Sequence, residues 1–571
     1  MLSVRIAAAV ARALPRRAGC VSKNALGSSF VGTRNLHASN TRLMTFLKSV
    51  YILDDEINQD VIDNIDENED PSIGQIISVK DGVAFVTGLD NIQVGEMVEF
   101  ISKGLTGMAL NLEAEQVGCI IFGDDTSVQQ DDSVRALNTL VKTPVGYGLL
   151  GRVVDGIGNF IDGGETIAFE EYLNVERKAP GVITRESVTE PMLTGYKIVD
   201  SMLPIGRGQR ELIVGDRQTG KTTIAIDTIL NQRYTNEEDI DLYCVYVGIG
   251  QKKSSILNIQ TLLQNNKAAH YTTIVAATAA QSASLQFIAP YTGCAIAEFY
   301  RDQGEHALII YDDLTKHAAA YRQLSLLLRR PLGREAFPGD VFYAHSRLLE
   351  RACKLNTNFG GGSLTALPIV ETQAGDLSGY IPTNIISITD GQIFMEKDLF
   401  FKGIRPAVNA GSSVSRVGSK AQPYALRLVT GNLRYQLAQY REYSVFAQFD
   451  NDIDDVTRGI LNRGALLTEI LKQGPNMPMQ LYKQVLIILA GAFNFITPFI
   501  KDFKKDLSNI CALYETKLFK FTHDKPERAE LFYPFYEYLS FFDKADFGFA
   551  DNPLLFILRS FEPEFYKSIN A

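Results

Sequence analysis

The sequence predicts a multidomain chain: a small β-barrel, a central P-loop α/β domain and a C-terminal α-helical domain. Three observations carry that fold class. Residues 72–142 hold short runs of mixed apolar and polar residues, such as GQIISV (74–79), VAFVT (83–87), EMVEF (96–100) and GCIIF (118–122), parted by glycine and Asp/Asn turns. Short strands at such spacing close readily into a barrel. Over residues 143–422, apolar strand runs alternate with helical patterns around a glycine-rich loop, which is α/β organisation. Beyond residue 423 strand signals fade, and segments such as QLAQYRE (436–442) have helical spacing.

Taken from the N-terminus, the first segment differs from the rest. Residues 1–43 carry Arg5, Arg12, Arg16, Arg17, Lys23, Arg34 and Arg42, and no Asp or Glu precedes Asp54. An Arg-rich, Ser-rich, acid-free leader has the composition of a mitochondrial transit peptide. Losing its seven positive charges takes the formal net charge from −10 to about −17. So acidic a body argues against a nucleic-acid binder that works by neutralising phosphates. Residues 44–71, dense in Asp, Glu and Asn toward their end, read as an acidic spacer. At 571 residues with 46% apolar content, the chain is too long for one core and has the composition of two to four globular domains. Its six cysteines are scattered without a C-x-x-C pair, so neither a zinc site nor a disulfide framework is indicated.

The α/β segment holds the chemistry. Residues 215–222 read GDRQTGKT, the pattern G-x-x-x-x-G-K-[ST], with the strand-like ELIV (211–214) before it and TIAID (223–227) as a departing helix. Glycines let such a loop turn its N–H groups toward phosphate oxygens, and the helix N-terminus adds positive potential. Lys221 would reach the β- and γ-phosphates, and the Thr222 hydroxyl would ligate Mg²⁺. A second element is an apolar strand ending in an acid, supplied by ALIIYDD (307–313). Asp312, at the strand end, suits the Mg²⁺ side. Asp313 suits the cap of the next helix. The strand beginning LYCVYV (242–247) ends in GQKK (250–253). Such a strand tip is where an NTP hydrolase places the group that orients the attacking water. Here that group is Gln251, and a carboxamide cannot act as a general base, although some switch-type GTPases orient water with glutamine.

Residues 484–500 (QVLIILAGAFNFITPFI) are uncharged and mostly apolar, between Lys483 and Lys501. The run is shorter than the ~20 residues a bilayer span needs and contains Asn494 and Pro498, so a buried helix is expected.

PIGRGQREL (204–212) followed by GDRQTGKT resembles the alpha subunit of the F-type ATP synthase. So do residues 307–352 (ALIIYDD through HSRLLERA), residues 371–394 (ETQAGDLSGYIPTNIISITDGQIF) and SSVSRVG (412–418). The resemblance runs from about residue 72 to 475. It implies a six-stranded-type β-barrel, a P-loop α/β domain with a mainly parallel sheet, and a C-terminal α-helical domain. It also implies a subunit that binds Mg²⁺ with ATP or ADP without turning it over, in a ring of three alpha and three beta subunits. Further implied partners are a central-stalk gamma subunit and peripheral-stalk subunits, on the matrix side of the mitochondrial inner membrane, with membrane contact only through the complex.

Carried over by position, the nucleotide site is Gln218, Thr219, Gly220, Lys221, Thr222 and Thr223, with Thr222 and Asp312 on the Mg²⁺ side. Gln251 stands where the catalytic paralogue has its glutamate. Gln473 matches a glutamine near the adenine, whereas Pro475 stands where the family usually has a second glutamine. Arg416 matches the arginine that reaches a neighbouring beta subunit's site, and an always-charged planar fork suits a transferring phosphoryl group. After about residue 500 the sequence departs from the family pattern and becomes aromatic-rich, as in LFYPFYEY (531–538). Two other readings share the P-loop core: an autonomous catalytic hexameric ATPase subunit, and an RNA-translocating hexamer. Gln251 counts against the first. The acidic body and the lack of an aromatic–basic platform count against the second.

Overall fold

A computed structural model describes residues 72–165, 167, 169, 171–236, 241–446 and 454–492. The expected leader (1–43), acidic spacer (44–71) and aromatic-rich end lie outside the described residues.

The barrel strands are β1 (Ile73–Lys80), β2 (Val83–Thr87), β3 (Glu96–Phe100), β4 (Leu105–Leu112), β5 (Val117–Phe122) and β6 (Ser133–Leu140). They close in the order β1-β2-β5-β4-β3-β6, every neighbour pair antiparallel. Asp81 (φ 47°) and Gly82 (φ 84°) form the two-residue turn between β1 and β2. A left-handed pair at both central positions matches the twist of a tight hairpin, which is why Asp-Gly serves there. Val117, Cys119 and Ile121 of β5 fill the barrel, while Ile120 and Phe122 join the core of the α/β domain. Burial on both faces accounts for the unbroken apolar run in this strand.

Two short antiparallel ribbons follow, β7 (Lys142–Val145) with β9 (Glu171–Asn174) and β10 (Pro191–Met192) with β11 (Ile205–Gly206). The main sheet contains β8 (Val153–Val154), β12 (Leu212–Gly215), β13 (Leu242–Gln251), β14 (Thr272–Thr278), β15 (His306–Asp312), β16 (Ser363–Glu371), β17 (Gly391–Met395) and β18 (Val414–Ser415). Its order is β18-β17-β12-β16-β15-β13-β14-β8, parallel throughout except at the β17–β18 edge.

Helices cover both faces of this sheet. They are α1 (Lys197–Met202), α2 (Lys221–Asn231), α3 (Lys253–Asn265), α4 (Ala283–Asp302), α5 (Leu314–Leu327), α6 (Val341–Leu349), α7 (Tyr380–Ile388) and α8 (Lys397–Phe401). Alternation along β13 sends Tyr243, Val245, Val247 and Ile249 into the core with α4 and α5, and Leu242, Cys244 and Tyr246 into the core with α2 and α3. Both faces of a parallel strand are thus buried, as its continuous apolar sequence requires.

The C-terminal helices are α9 (Tyr424–Thr430), α10 (Leu433–Phe446), α11 (Asp455–Leu471) and α12 (Leu481–Ala492). Gly464 of α11 lets α10 approach closely: a Cβ there would lie 2.2 Å from the Tyr440 ring. The apolar run from residue 484 is buried over its described part, with Val485, Ile487, Ile488 and Leu489 inside α12. Among the described residues no helix is long and apolar enough to cross a membrane.

Candidate nucleotide site

Strand β12 delivers the phosphate-binding loop at its C-terminal end, and α2 leaves it. Gly220 takes φ 94° and Gln218 φ 63°, so the loop curls through two left-handed positions before the helix starts. No side chain caps the N-terminus of α2, which leaves its first N–H groups for another acceptor. Lys221 folds its ammonium into the curl, donating to the carbonyls of Gly215 (2.7 Å) and Asp216 (2.5 Å). Burial pushes the Lys221 ammonium below its ordinary value, against the pull of Glu371, Asp313, Asp312 and Asp216. The Thr219 hydroxyl closes the loop on the Asp216 carbonyl at 2.8 Å.

Thr222 and Asp312, 90 residues apart in the chain, meet here: the Thr222 hydroxyl donates to Asp312 Oδ2 at 2.8 Å. The Tyr246 hydroxyl donates to the same oxygen at 2.7 Å and fixes the carboxylate. Asp313 turns the other way and caps α5, accepting from the Lys316 N–H at 2.7 Å. Burial raises the Asp313 carboxyl above the usual carboxylate range. Gln251 ends β13 beside them, its amide donating to the Asp312 carbonyl at 3.4 Å.

Several groups of this site carry no sequence signal. Glu371 ends β16, which pairs with β12 so that Glu371 faces Gly215 in register. It forms an ion pair with Arg217 of the loop. Asp216 accepts from the Thr372 hydroxyl (2.7 Å) and the Gly375 N–H (2.8 Å), tying the loop to the segment after β16.

A cavity of about 380 Å³ adjoins the loop. One wall is Gln218 through Ile224; the others include Tyr196, Met395, Phe400, Arg405, Pro406, Ala407, Gln473 and Pro475. Gln473 and Pro475 therefore border the same space as the loop. The Gln473 amide is engaged with the backbone, donating to the carbonyls of Gly195 (2.8 Å) and Met477 (2.7 Å) and accepting from the Lys197 N–H (3.2 Å). The Arg405 guanidinium stacks over the Phe400 ring at 4.2 Å.

Arg416 is not part of this cavity. It follows β18 at the edge where Ser415 pairs with Gly391, the first residue of β17. That is the N-terminal end of the parallel strands, opposite the loop. The Arg416 N–H donates to the Asp390 carbonyl at 2.9 Å, while its exposed side chain has no hydrogen-bonding or ion-pair partner among the described residues.

Comparison with known families agrees with this geometry. The nucleotide-binding domain of the ATP synthase alpha/beta family matches residues 195–415, the family's beta-barrel domain matches 72–138, and its C-terminal domain matches 422–526. Together the matches span more than half of the chain. The chain belongs to the ATP synthase alpha/beta family. As an alpha/beta-family subunit it carries a nucleotide-binding domain built on β12 and α2. The family match also reaches residue 526, so the departure from the family pattern begins later than the position near 500 that the sequence reading suggests.

Proposed function

We propose that this chain is the non-catalytic, regulatory alpha subunit of a mitochondrial ATP synthase. It binds Mg²⁺ with ATP or ADP at residues 218–223. It alternates with beta subunits in a 3:3 ring around a central stalk, on the matrix side of the inner membrane. The observation that carries the non-catalytic reading is Gln251. At the tip of β13, beside Asp312, the chain offers a carboxamide where hydrolysis needs a proton acceptor.

The residues present fit the nucleotide. A cation inside the loop and uncapped helix N–H groups suit phosphate oxygens. The Thr222 hydroxyl and Asp312 carboxylate are hard oxygen donors already side by side, the ligand type Mg²⁺ takes while keeping several waters. Bound there, Mg²⁺ would neutralise phosphate charge. Tyr246 holds the Asp312 carboxylate toward Thr222, and Arg217 holds Glu371.

Glu371 is the observation that favours the autonomous ATPase, since it is a carboxylate at the mouth of the loop. That carboxylate is, however, held by Arg217 in an ion pair. The purified full chain, given Mg-ATP, should bind it and show no steady phosphate release. Sustained hydrolysis by the chain alone would refute the non-catalytic assignment.

A further inference from the structure

We propose that Tyr246 is a positioning residue for the Mg²⁺ that accompanies the nucleotide, and that its hydroxyl sets how tightly this chain holds the metal. The proposal rests on the phosphate-site reading above and deepens it. It gives a function to a core residue of β13 that acts through Asp312.

The strand register explains how Tyr246 arrives there. β13 runs parallel to β15, with Tyr246 opposite Ile310 and Gly248 opposite Asp312. Residues two apart on a strand share a face, so Tyr246 and position 248 lie on the same side of the sheet. To meet the end of β15, the phenol reaches forward by two residues, about 6.6 Å. Gly248 leaves that path open. A Cβ at 248 would sit between the Tyr246 ring edge (3.5 Å) and Ile256 (3.6 Å), so a longer side chain would crowd the ring.

The hydroxyl ends on a carboxylate oxygen that is taken twice. Asp312 Oδ2 accepts from Tyr246 at 2.7 Å and from Thr222 at 2.8 Å. Asp312 Oδ1 has no hydrogen-bonding partner among the described residues. Two donors on one oxygen hold the carboxylate against rotation. They leave Oδ1 as the acceptor for the waters that Mg²⁺ keeps when it binds a protein. The donors are not equivalent. The Thr222 hydroxyl is itself offered to the metal, whereas Tyr246 is 0% exposed and packed in the core beneath α2 and α3. The phenol is therefore the fixed point of the group.

A bond to a carboxylate has two opposed effects. It draws charge from the ligand, which weakens it, and it fixes the ligand's orientation, which strengthens binding. Removing an outer-shell partner of a metal ligand typically costs about 10–100-fold in metal affinity, so orientation wins.

The test uses the purified full chain with Mn²⁺ as the probe, because its EPR signal reports bound metal directly. Mn²⁺ affinity is measured with ATP present, and nucleotide affinity alone by trinitrophenyl-ATP fluorescence in EDTA. Tyr246→Phe keeps the ring and removes the donor. It should weaken Mn²⁺ binding by about 10–100-fold and leave metal-free nucleotide binding unchanged. Asp312→Asn, expected to lose Mn²⁺ binding, ties the signal to this site. A hydroxyl that serves only the core would lower the unfolding midpoint and leave Mn²⁺ affinity where it was, which would overturn the proposal. Tighter Mn²⁺ binding in Tyr246→Phe would overturn it too, as would an equal fall in metal-free nucleotide binding. Each of those results leaves the phosphate-site reading standing, provided the unsubstituted chain binds Mn²⁺ with ATP. An unsubstituted chain that takes trinitrophenyl-ATP without Mn²⁺, or neither, would remove that reading together with the proposal.

Discussion

Arg416 and Lys221 are cations in opposite surroundings. Lys221 is buried and bonded to the loop it belongs to. Arg416 is exposed beyond the opposite ends of the same parallel strands. From Glu211, the residue whose buried carboxyl senses the Arg416 charge, to Asp216 the chain advances five positions, across the four residues of β12. At about 3.3 Å per residue that is roughly 16 Å, so Arg416 stands well away from its own phosphate loop. A guanidinium held there by its backbone, exposed and without a hydrogen-bonding or ion-pair partner among the described residues, is what the proposed role in trans requires. In the assembled complex, Arg416→Ala should leave Mg-ATP binding to this chain unchanged while steady turnover falls by about 10³–10⁵. Parallel measurements of bound nucleotide and phosphate release decide it: normal turnover ends the role in trans, and lost binding moves Arg416 into this chain's own site.

The helices α5 and α6 meet through a pair of buried imidazoles. His317 Nε2 lies 3.1 Å from the Phe287 carbonyl, which can only accept, so Nε2 carries the proton. His317 Nδ1 then accepts from His345 Nε2–H at 3.1 Å, and His345 Nδ1 has no partner among the described residues. Burial lowers His317 to about 4 and His345 well below its ordinary value; Arg347 adds to the effect on His317, and the paired imidazole adds to that on His345. Below pH 6.5 the unfolded chain therefore binds protons that the folded chain refuses. Stability declines as pH falls from about 6.5 toward 4, by about 3 kcal/mol from His317 alone. His317→Gln can still donate to the Phe287 carbonyl and accept from His345, without an ionisable ring. Its unfolding midpoint should drop less between pH 7 and pH 5 than that of the unsubstituted chain. Equal drops in both would place the acid sensitivity elsewhere. Nothing in the sequence marked this pair, because its members stand 28 residues apart on two helices and meet only when the helices pack.

At the scale of the whole molecule, legibility followed contiguity. The glycine loop was readable because its chemistry lies in eight consecutive residues. The barrel was readable because short strands leave a pattern of period two in the chain itself. Glu371, Arg405 and Phe400 were not readable as site residues. They reach the loop through the order of strands, with β12 lodged between β16 and β17, and that order comes from crossovers that no local run encodes. Gln473 could be placed near the loop by resemblance, but its three backbone bonds could not. β8 and β18, two residues each, are too short to leave a pattern.

The same limit hid the group that joins the segment after the barrel to the main domain. Glu298 of α4 takes a two-pronged bond from Arg351, at 3.0 and 2.6 Å, with both side chains 1% exposed. Arg351 also donates to the Val175 carbonyl at 2.8 Å, one residue past β9, and Arg301 donates to the Arg351 carbonyl at 2.7 Å. One buried fork thus ties α4, the end of α6 and the chain leaving the β7–β9 ribbon. Arg301 (3.4 Å) and Arg177 (3.5 Å) also face Glu298, so one buried carboxylate is the shared partner of three cations. Glu298→Gln would leave the Arg351 charge buried and uncompensated, and should cost about 3–5 kcal/mol, seen as an earlier denaturant midpoint. Adding Arg351→Met should recover part of that loss, since it removes the cation held most tightly against Glu298, while Arg301 keeps Asp302 at 2.7 Å. If the double variant unfolds at the same denaturant concentration as Glu298→Gln or earlier, the cost lies in lost packing, and the ion pair is not what joins these elements.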